Sequence, residues 1–246
     1  MDSREKINIF WTGGYDSTFR MCQLIREDII IQPYYMSDNR KSEKNELEAI
    51  RKITGKLEAS PEKKAELLPL IFISVEERHA SQEITNAYKS LLKKDFMGQQ
   101  YEWLGFFAKE HPGIELSIHK DDKAIALINK HGALKKEKNA AGDYYTIDEA
   151  KSEPELVTLF GNMHFPLADY TKLVMKEEYK KLGFEDVIND TWFCHTPIDG
   201  KPCGSCGPCK YTIEEGMPER FTEEALKRYK KATGFLGKMK KKIKGH

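Results

Sequence analysis

Apolar positions along this chain switch repeatedly between two spacings. Residues 7–11 form a short apolar run ending in Thr12-Gly13-Gly14, and residues 17–26 then carry apolar side chains at helical spacing, which predicts a strand, a glycine turn and a helix. Residues 29–36 read as a second strand. Leu47, Ile50, Ile53 and Leu57 recur three or four apart within a charged stretch, the stripe of a helix with one buried face. Residues 70–75 give a third strand, helical segments follow around 84–92 and 101–109 with Gly98 between them, and residues 114–119 give a fourth strand. Strands and helices in this order, with connections long enough for crossovers, predict an α/β fold. Its mostly parallel sheet would be covered by helices on both faces, with right-handed crossovers.

The pattern then breaks. Between 132 and 155, Lys135, Lys136, Lys138, Gly142 and Asp143 surround the aromatic pair Tyr144-Tyr145, which predicts a hairpin or an insertion. Residues 157–160 read as a fifth strand. Residues 171–182 read as a helix opened by a Thr171 cap and closed by Gly183, and 223–233 as a last helix followed by a frayed lysine-rich end. Two units result: an α/β domain over 1–185 with an insertion at 132–155, and a small cysteine-bearing segment with a basic helix and tail over 186–246. No internal repeat is visible.

Composition narrows the function classes only a little. Forty Lys and Arg stand against 39 Asp and Glu, so bulk charge gives no reason to expect a nucleic-acid partner. The balance is uneven: residues 227–244 hold nine basic residues and no acidic one, leaving the remainder net acidic. No apolar stretch approaches the roughly 18 residues of a membrane span, and the first residues do not look like a secretory leader, so a cytoplasmic location is expected. Of five cysteines, four crowd between 194 and 209, which in a reducing compartment points to metal ligation. Cys22 lies in an amphipathic helical stretch and reads as a small buried hydrophobe.

The sequence Thr12-Gly13-Gly14-Tyr15-Asp16-Ser17-Thr18 sits where a strand hands over to a helix. Backbone N–H groups and short hydroxyls converge there, the makings of a phosphate site. The Walker A lysine and the third glycine of a dinucleotide fingerprint are both missing, so neither of those grips is indicated. Asp16 would repel phosphate unless it orders the loop or helps hold Mg²⁺.

Cys194, Cys203, Cys206 and Cys209 form C-x8-C-x2-C-x2-C, with Gly200, Gly204 and Gly207 allowing a tight fold. Four thiolates saturate a tetrahedral Zn²⁺ in a structural site; an iron–sulfur cluster remains the other acceptor of such ligands. His195 adjoins the first cysteine but finds no open position on a four-thiolate ion.

The glycine loop resembles the S-G-G-x-D-S pyrophosphate loop of the ATP-pyrophosphatase (PP-loop) superfamily, with Thr12 in place of the first serine. Together with Asp190-Thr191-Trp192-Phe193-Cys194 and Cys203-Gly204-Ser205-Cys206-Gly207-Pro208-Cys209, it resembles the 7-cyano-7-deazaguanine synthase family, whose T-W-S-C-Y element precedes C-G-x-C-x-x-C. Pro166-Leu167 and Thr171-Lys172 match that family's P-L and the start of its T-K helix. The middle departs more. Asp38 and Arg40 match loosely, Met97-Gly98-Gln99-Gln100 offers no Arg-Asn pair, and His195 stands where the family has tyrosine.

The resemblance implies an adenine nucleotide alpha-hydrolase-like, Rossmann-like fold. It implies ATP and Mg²⁺ held by Thr12, Gly13, Gly14, Asp16, Ser17 and Thr18, catalytic roles for Asp16 and Lys172, and Zn²⁺ on the four cysteines. The implied reaction adenylates 7-carboxy-7-deazaguanine, forms an amide with ammonia, and dehydrates it after a second adenylation, as in queuosine biosynthesis; a homodimer is implied too. Lys172 reads equally as a solvated first-turn lysine. A base-binding pocket lined by Phe193, Tyr101 or Trp103 is conceivable, but such aromatics are more often core than pocket, and the sequence assigns them neither role. A tRNA-modifying relative would draw on the basic tail but lacks an aromatic stacking platform. A non-catalytic nucleotide-binding module that recruits a partner, and an offshoot joining a deazaguanine to DNA or protein, are the other readings.

Overall fold

In the computed structural model, which describes residues 3–77 and 79–234, the first strand β1 (Lys6–Phe10) pairs in parallel with β2 (Ile30–Ser37). Side chains of a strand alternate between faces, and this pair follows the rule. Ile7, Ile9, Ile31 and Tyr35 enter one apolar cluster, while Phe10, Tyr34 and Met36 enter the other. The strands therefore send apolar side chains to both faces, as expected of a parallel sheet buried on both sides.

Helices α1 (Tyr15–Leu24) and α2 (Glu43–Glu58) cover the first face, joined later by α7 (Lys172–Lys181). Ala49, Ile50, Ile53 and Leu57 form the buried stripe of α2. Helices α3 (Gln82–Lys94), α4 (Gln100–Glu110), α5 (Lys123–His131) and α6 (Pro154–Phe160) cover the second. The outer edge beside β2 is one interrupted strand, β3 (Glu66–Leu67) and β4 (Ile71–Ser74), with Pro69 in the gap. On the other side of β1 lie β5 (Ile114–Glu115) and β8 (Met163–His164). All pairings in this six-stranded sheet are parallel, so the α/β architecture expected from the residue pattern is what forms.

Residues 132–155 contain an antiparallel hairpin, β6 (Leu134–Asn139) with β7 (Gly142–Ile147), as their turn residues predict. Three assignments change. Residues 157–160, read as a strand, are the end of α6: Pro154 starts it and Leu156, Leu159 and Phe160 bury one helical face, a spacing invisible in a four-residue apolar run. The fourth strand stops after two residues, and its apolar continuation turns into a loop. Helix α5 and the short β3 occupy stretches where no element was predicted.

Beyond α7 come a short turn, α8 (Glu185–Ile188), the cysteine segment with α9 (Gly207–Glu214), and α10 (Glu223–Thr233). The lysine-rich tail, including Lys238, Lys240, Lys241, Lys242 and Lys244, lies outside the described residues. Among the described residues no helix is long and apolar enough to cross a membrane.

Candidate active site and metal centre

Strand order decides where a site can form. The chain moves outward from β1 through β2 to β3/β4, then returns to the opposite side of β1 with β5. Helix α1 and helix α5, which follow β1 and β5, pack on opposite faces of the sheet. Connections that diverge in this way leave a crevice beyond the strands' carboxyl ends. A cavity of about 560 Å³ lies there, walled by the loop after β1, the end of β2, α4, the loop after β5, and the segment leading to the cysteines.

Gly13 takes φ +67°, and a side chain on it would press on the Glu46 carbonyl at 3.0 Å and on Ile50 at 3.1 Å. Glycine is what lets α2 lie against the loop. Gly14 is the N-cap of α1, whose first-turn N–H groups have no acceptor within the helix, the kind of end at which anions can bind. The hydroxyls of Thr12 and Ser17 stand 3.5 Å apart on the cavity wall. Thr18 is placed differently. It is fully buried, and its hydroxyl accepts the Trp11 indole N–H at 3.2 Å.

Asp16 and Lys172, 156 positions apart, meet at this loop with Nζ 2.5 Å from Oδ1. Thr171 caps α7 by accepting the Val174 N–H at 3.3 Å, so Lys172 opens the helix where a cation opposes the dipole. The Asp16 carboxylate and the Tyr15 ring, 4.8 Å from Nζ, offset that penalty. Burial, reinforced by the Asp16 charge, holds the Tyr15 phenol far above its usual range. Glu215, just beyond α9, is also raised by burial, with Lys172 opposing the rise.

Past the end of β2, Arg40 donates to Glu46 Oε2 at 3.0 and 2.8 Å and to Asp38 at 2.6 Å, and its guanidinium stands 5.1 Å from the Tyr35 ring centroid. Glu46 also accepts from the Tyr35 hydroxyl at 2.8 Å and from Ser42 at 2.6 Å. Charge-assisted bonds of this kind set the wall before any ligand arrives.

The four cysteine sulfurs all lie within 4.8 Å of one another. Cys203 and Cys209 are 3.8 Å apart and Cys194 and Cys206 4.0 Å, close to the roughly 3.8 Å edge of a tetrahedron with 2.3 Å metal–sulfur bonds. A tetrahedral ion such as zinc fits. Backbone N–H groups supply the donors that thiolates need: Cys203 to Cys194 at 3.2 Å, and Ser205 and Cys206 to Cys203 at 3.3 Å. Burial pushes the Cys203 thiol up, but the hydroxyls of Thr196 and Ser205 and the N–H groups of Ser205 and Cys206 outweigh it and bring it down to about 7. Gly204, at φ +75°, faces the carbonyl of fully buried Ala225, so any side chain would drive α10 away. Arg228 ties that helix to the Cys203 carbonyl at 2.7 Å. The Trp192 N–H donates to the Gly13 carbonyl at 2.8 Å, joining the cysteine segment to the glycine loop.

The chain resembles 7-cyano-7-deazaguanine synthases. It is 27% identical over 236 residues to 7-cyano-7-deazaguanine synthase 2 of Sulfurisphaera tokodaii, covering 83% of this chain and 44% of that protein. It is 25% identical to the synthase of Sulfolobus acidocaldarius (84% of this chain, 44% of that protein) and 26% to that of Saccharolobus solfataricus (85% and 45%). The chain thus spans less than half the length of these curated relatives. No protein-family model matches it.

With this likeness in view, the positions of individual residues carry more weight. Thr12, Gly14, Asp16 and Ser17 border the cavity; Lys172 reaches the loop through Asp16; Thr18 turns into the core. Phe193, Tyr101 and Trp103, which the sequence left unassigned between core and pocket, all border the cavity, and exposed His195 does too. Asp38 and Arg40 stand on its rim, and Gln100 marks the place where an Arg-Asn pair was sought. Ser117 and Asp122 were missed altogether. Asp122 had a legible signal, since an aspartate just before an apolar-periodic stretch is a helix cap.

Proposed function

We propose that this chain is an ATP-dependent, AMP-forming synthase that converts the carboxyl group of a 7-deazaguanine to a nitrile with ammonia as the nitrogen source. The observation that carries it is the meeting of Asp16 and Lys172 at the N-terminus of α1, beside the cavity. A phosphate-binding helix end with a neighbouring ammonium and a carboxylate suits the departure of pyrophosphate from ATP. The names of the relatives supply the substrate class.

In this mechanism the first-turn N–H groups of α1 and the hydroxyls of Thr12 and Ser17 take the β- and γ-phosphates. Thr18 supports the turn from behind through Trp11. Lys172 carries the positive charge that offsets the developing negative charge on pyrophosphate, and Asp16 holds it in place and offers a hard oxygen to Mg²⁺. A carboxylate oxygen of the substrate attacks the α-phosphorus, pyrophosphate leaves, and ammonia displaces AMP to give an amide. The amide oxygen then attacks a second ATP, and loss of AMP with two protons from nitrogen leaves the nitrile. Each original carboxylate oxygen departs on one AMP. Zinc on Cys194, Cys203, Cys206 and Cys209 would hold the wall formed by Trp192 and Phe193 and take no part in the chemistry.

The test supplies labelled ATP, Mg²⁺, ammonia and 7-carboxy-7-deazaguanine and follows AMP, pyrophosphate and the purine. Wild type is expected to release two AMP per nitrile, and Lys172→Ala to lower the rate by roughly a hundredfold to a thousandfold. AMP release without nitrile would keep the adenylation and discard the substrate; no AMP at all would discard the enzyme.

A further inference from the structure

Four carboxylates line the cavity, and among the described residues three are already engaged by cations or a network. Asp16 is paired with Lys172, Asp38 with Arg40, and Glu46 with Arg40, Tyr35 and Ser42. Asp122 is the exception. It is half-buried, no ion pair involves it among the described residues, and its side chain accepts one backbone bond, from the Ala124 N–H to Oδ1 at 2.8 Å. That bond is the N-cap of α5, so the carboxylate is held in place while its other oxygen and spare lone pairs remain for a ligand.

The surroundings suit a planar, polar molecule. Tyr101 and Trp103 of α4 border the same cavity, Tyr101 with its ring tilted against Phe160 at 5.5 Å. The Tyr101 phenol is raised by burial and then by the charge of Asp122, which lines the same cavity. Ser117, between β5 and Asp122, also borders the cavity, and its Oγ is buried with no hydrogen-bond partner among the described residues. A buried hydroxyl left unpaired costs stability unless a ligand or water satisfies it. Both residues come from the loop after β5, across the crevice from the glycine loop after β1.

We propose that Asp122 reads the base of the substrate, accepting hydrogen bonds from the adjacent ring N–H and exocyclic 2-amino group of a 2-amino-6-oxo purine-like ring, with Ser117 bonding a second polar atom of the base. The substrate class rests on the function proposed above. A carboxylate offers acceptors where that edge offers donors, whereas an adenine-type ring presents an acceptor at the corresponding ring nitrogen. Asp122 therefore sets specificity at the base and takes no part in adenylation.

Asp122→Asn tests this on the full chain, because asparagine caps a helix as well as aspartate does but turns an amide N–H₂ toward the donors of the base. Calorimetric titration would compare 7-carboxy-7-deazaguanine with its analogue lacking the 2-amino group, with ATP binding and thermal midpoint as controls for folding. Wild type is expected to prefer the 2-amino compound, and Asp122→Asn to bind it about tenfold to a hundredfold more weakly while weakening the analogue, which keeps the ring N–H, by a smaller factor. Absence of the preference in wild type, or its survival in Asp122→Asn with ATP binding intact, would overturn the assignment even if AMP is formed. A preference that disappears in the variant would support it even if no AMP is released, in which case the synthase reaction alone would fail.

Discussion

The sheet with its helices buries two large apolar clusters, one on each face, while the cysteine segment buries little more than its own thiols against Trp192, Phe193, Cys206 and Phe221. Removal of apolar surface from water holds the first region together. The second has too small a core for that, and such units need covalent or metal staples. In the sheet, buried charge is a local exception: Arg20 and Glu115 make a bidentate pair at 2.8 and 2.7 Å, and Arg20 also donates to the Ala141 carbonyl at 3.2 Å. In the segment, polar ligands are the core itself. Two regions stabilised so differently still share one cavity, so disorder in the smaller one would reach the cavity wall.

The largest effect is expected at the four cysteines and any metal they hold. Stripping it with a strong chelator, or Cys203→Ala, should expose the remaining thiols to a thiol reagent and lower AMP release by about a hundredfold or more, because a wall of the site loses its position. Far-UV circular dichroism should keep most of its helical signal; loss of the sheet in the same step would break the comparison. Next, Phe160→Ala removes a fully buried ring from the second-face cluster and should cost about 3–5 kcal/mol in urea unfolding. Metal content measured on the folded protein should stay the same, and a parallel loss of metal would show the regions to be one cooperative unit.

The smallest effect concerns His131, which bonds Asp95 at 2.6 Å and Glu153 at 3.1 Å and so ties the end of α5 to the segments after α3 and before α6. The Asp95 bond, ahead of the Glu153 contacts, raises the His131 pKa above the ordinary ~6.5. A raised folded pKa stabilises fully below the unfolded value and loses that contribution as pH climbs through the folded one. The stability difference between wild type and His131→Gln should therefore shrink as pH rises above about 6.5. A difference that stays flat, or grows with pH, would rule this out.

Elements with a strong period were legible before any coordinates. The stripe of α2, the Thr171 cap of α7 and the strand–glycine–helix unit at Thr12 each depend on neighbours within one turn or one strand. The four-cysteine cluster was equally plain, because its spacing alone allows convergence. Residues 157–160 were misread since a short apolar run suits strand and helix alike, and packing against α3 and α4 decides between them. Tyr101 and Trp103 could not be placed because aromatic residues line cores and pockets with the same local pattern.

The sequence by itself determined the alternation of strand and helix, the strand–glycine–helix turn at Gly13-Gly14 and the spacing that lets four cysteines converge, because all three are local properties of backbone and spacing. Only the tertiary structure decided that Lys172 reaches Asp16, that Trp192 docks on the glycine loop, and that Asp122 is the cavity carboxylate without a cation among the described residues. Those relations depend on strand order, which brings together loops more than a hundred residues apart. Strand order is set by the burial of both sheet faces at once, a sum over the whole chain that no short stretch records.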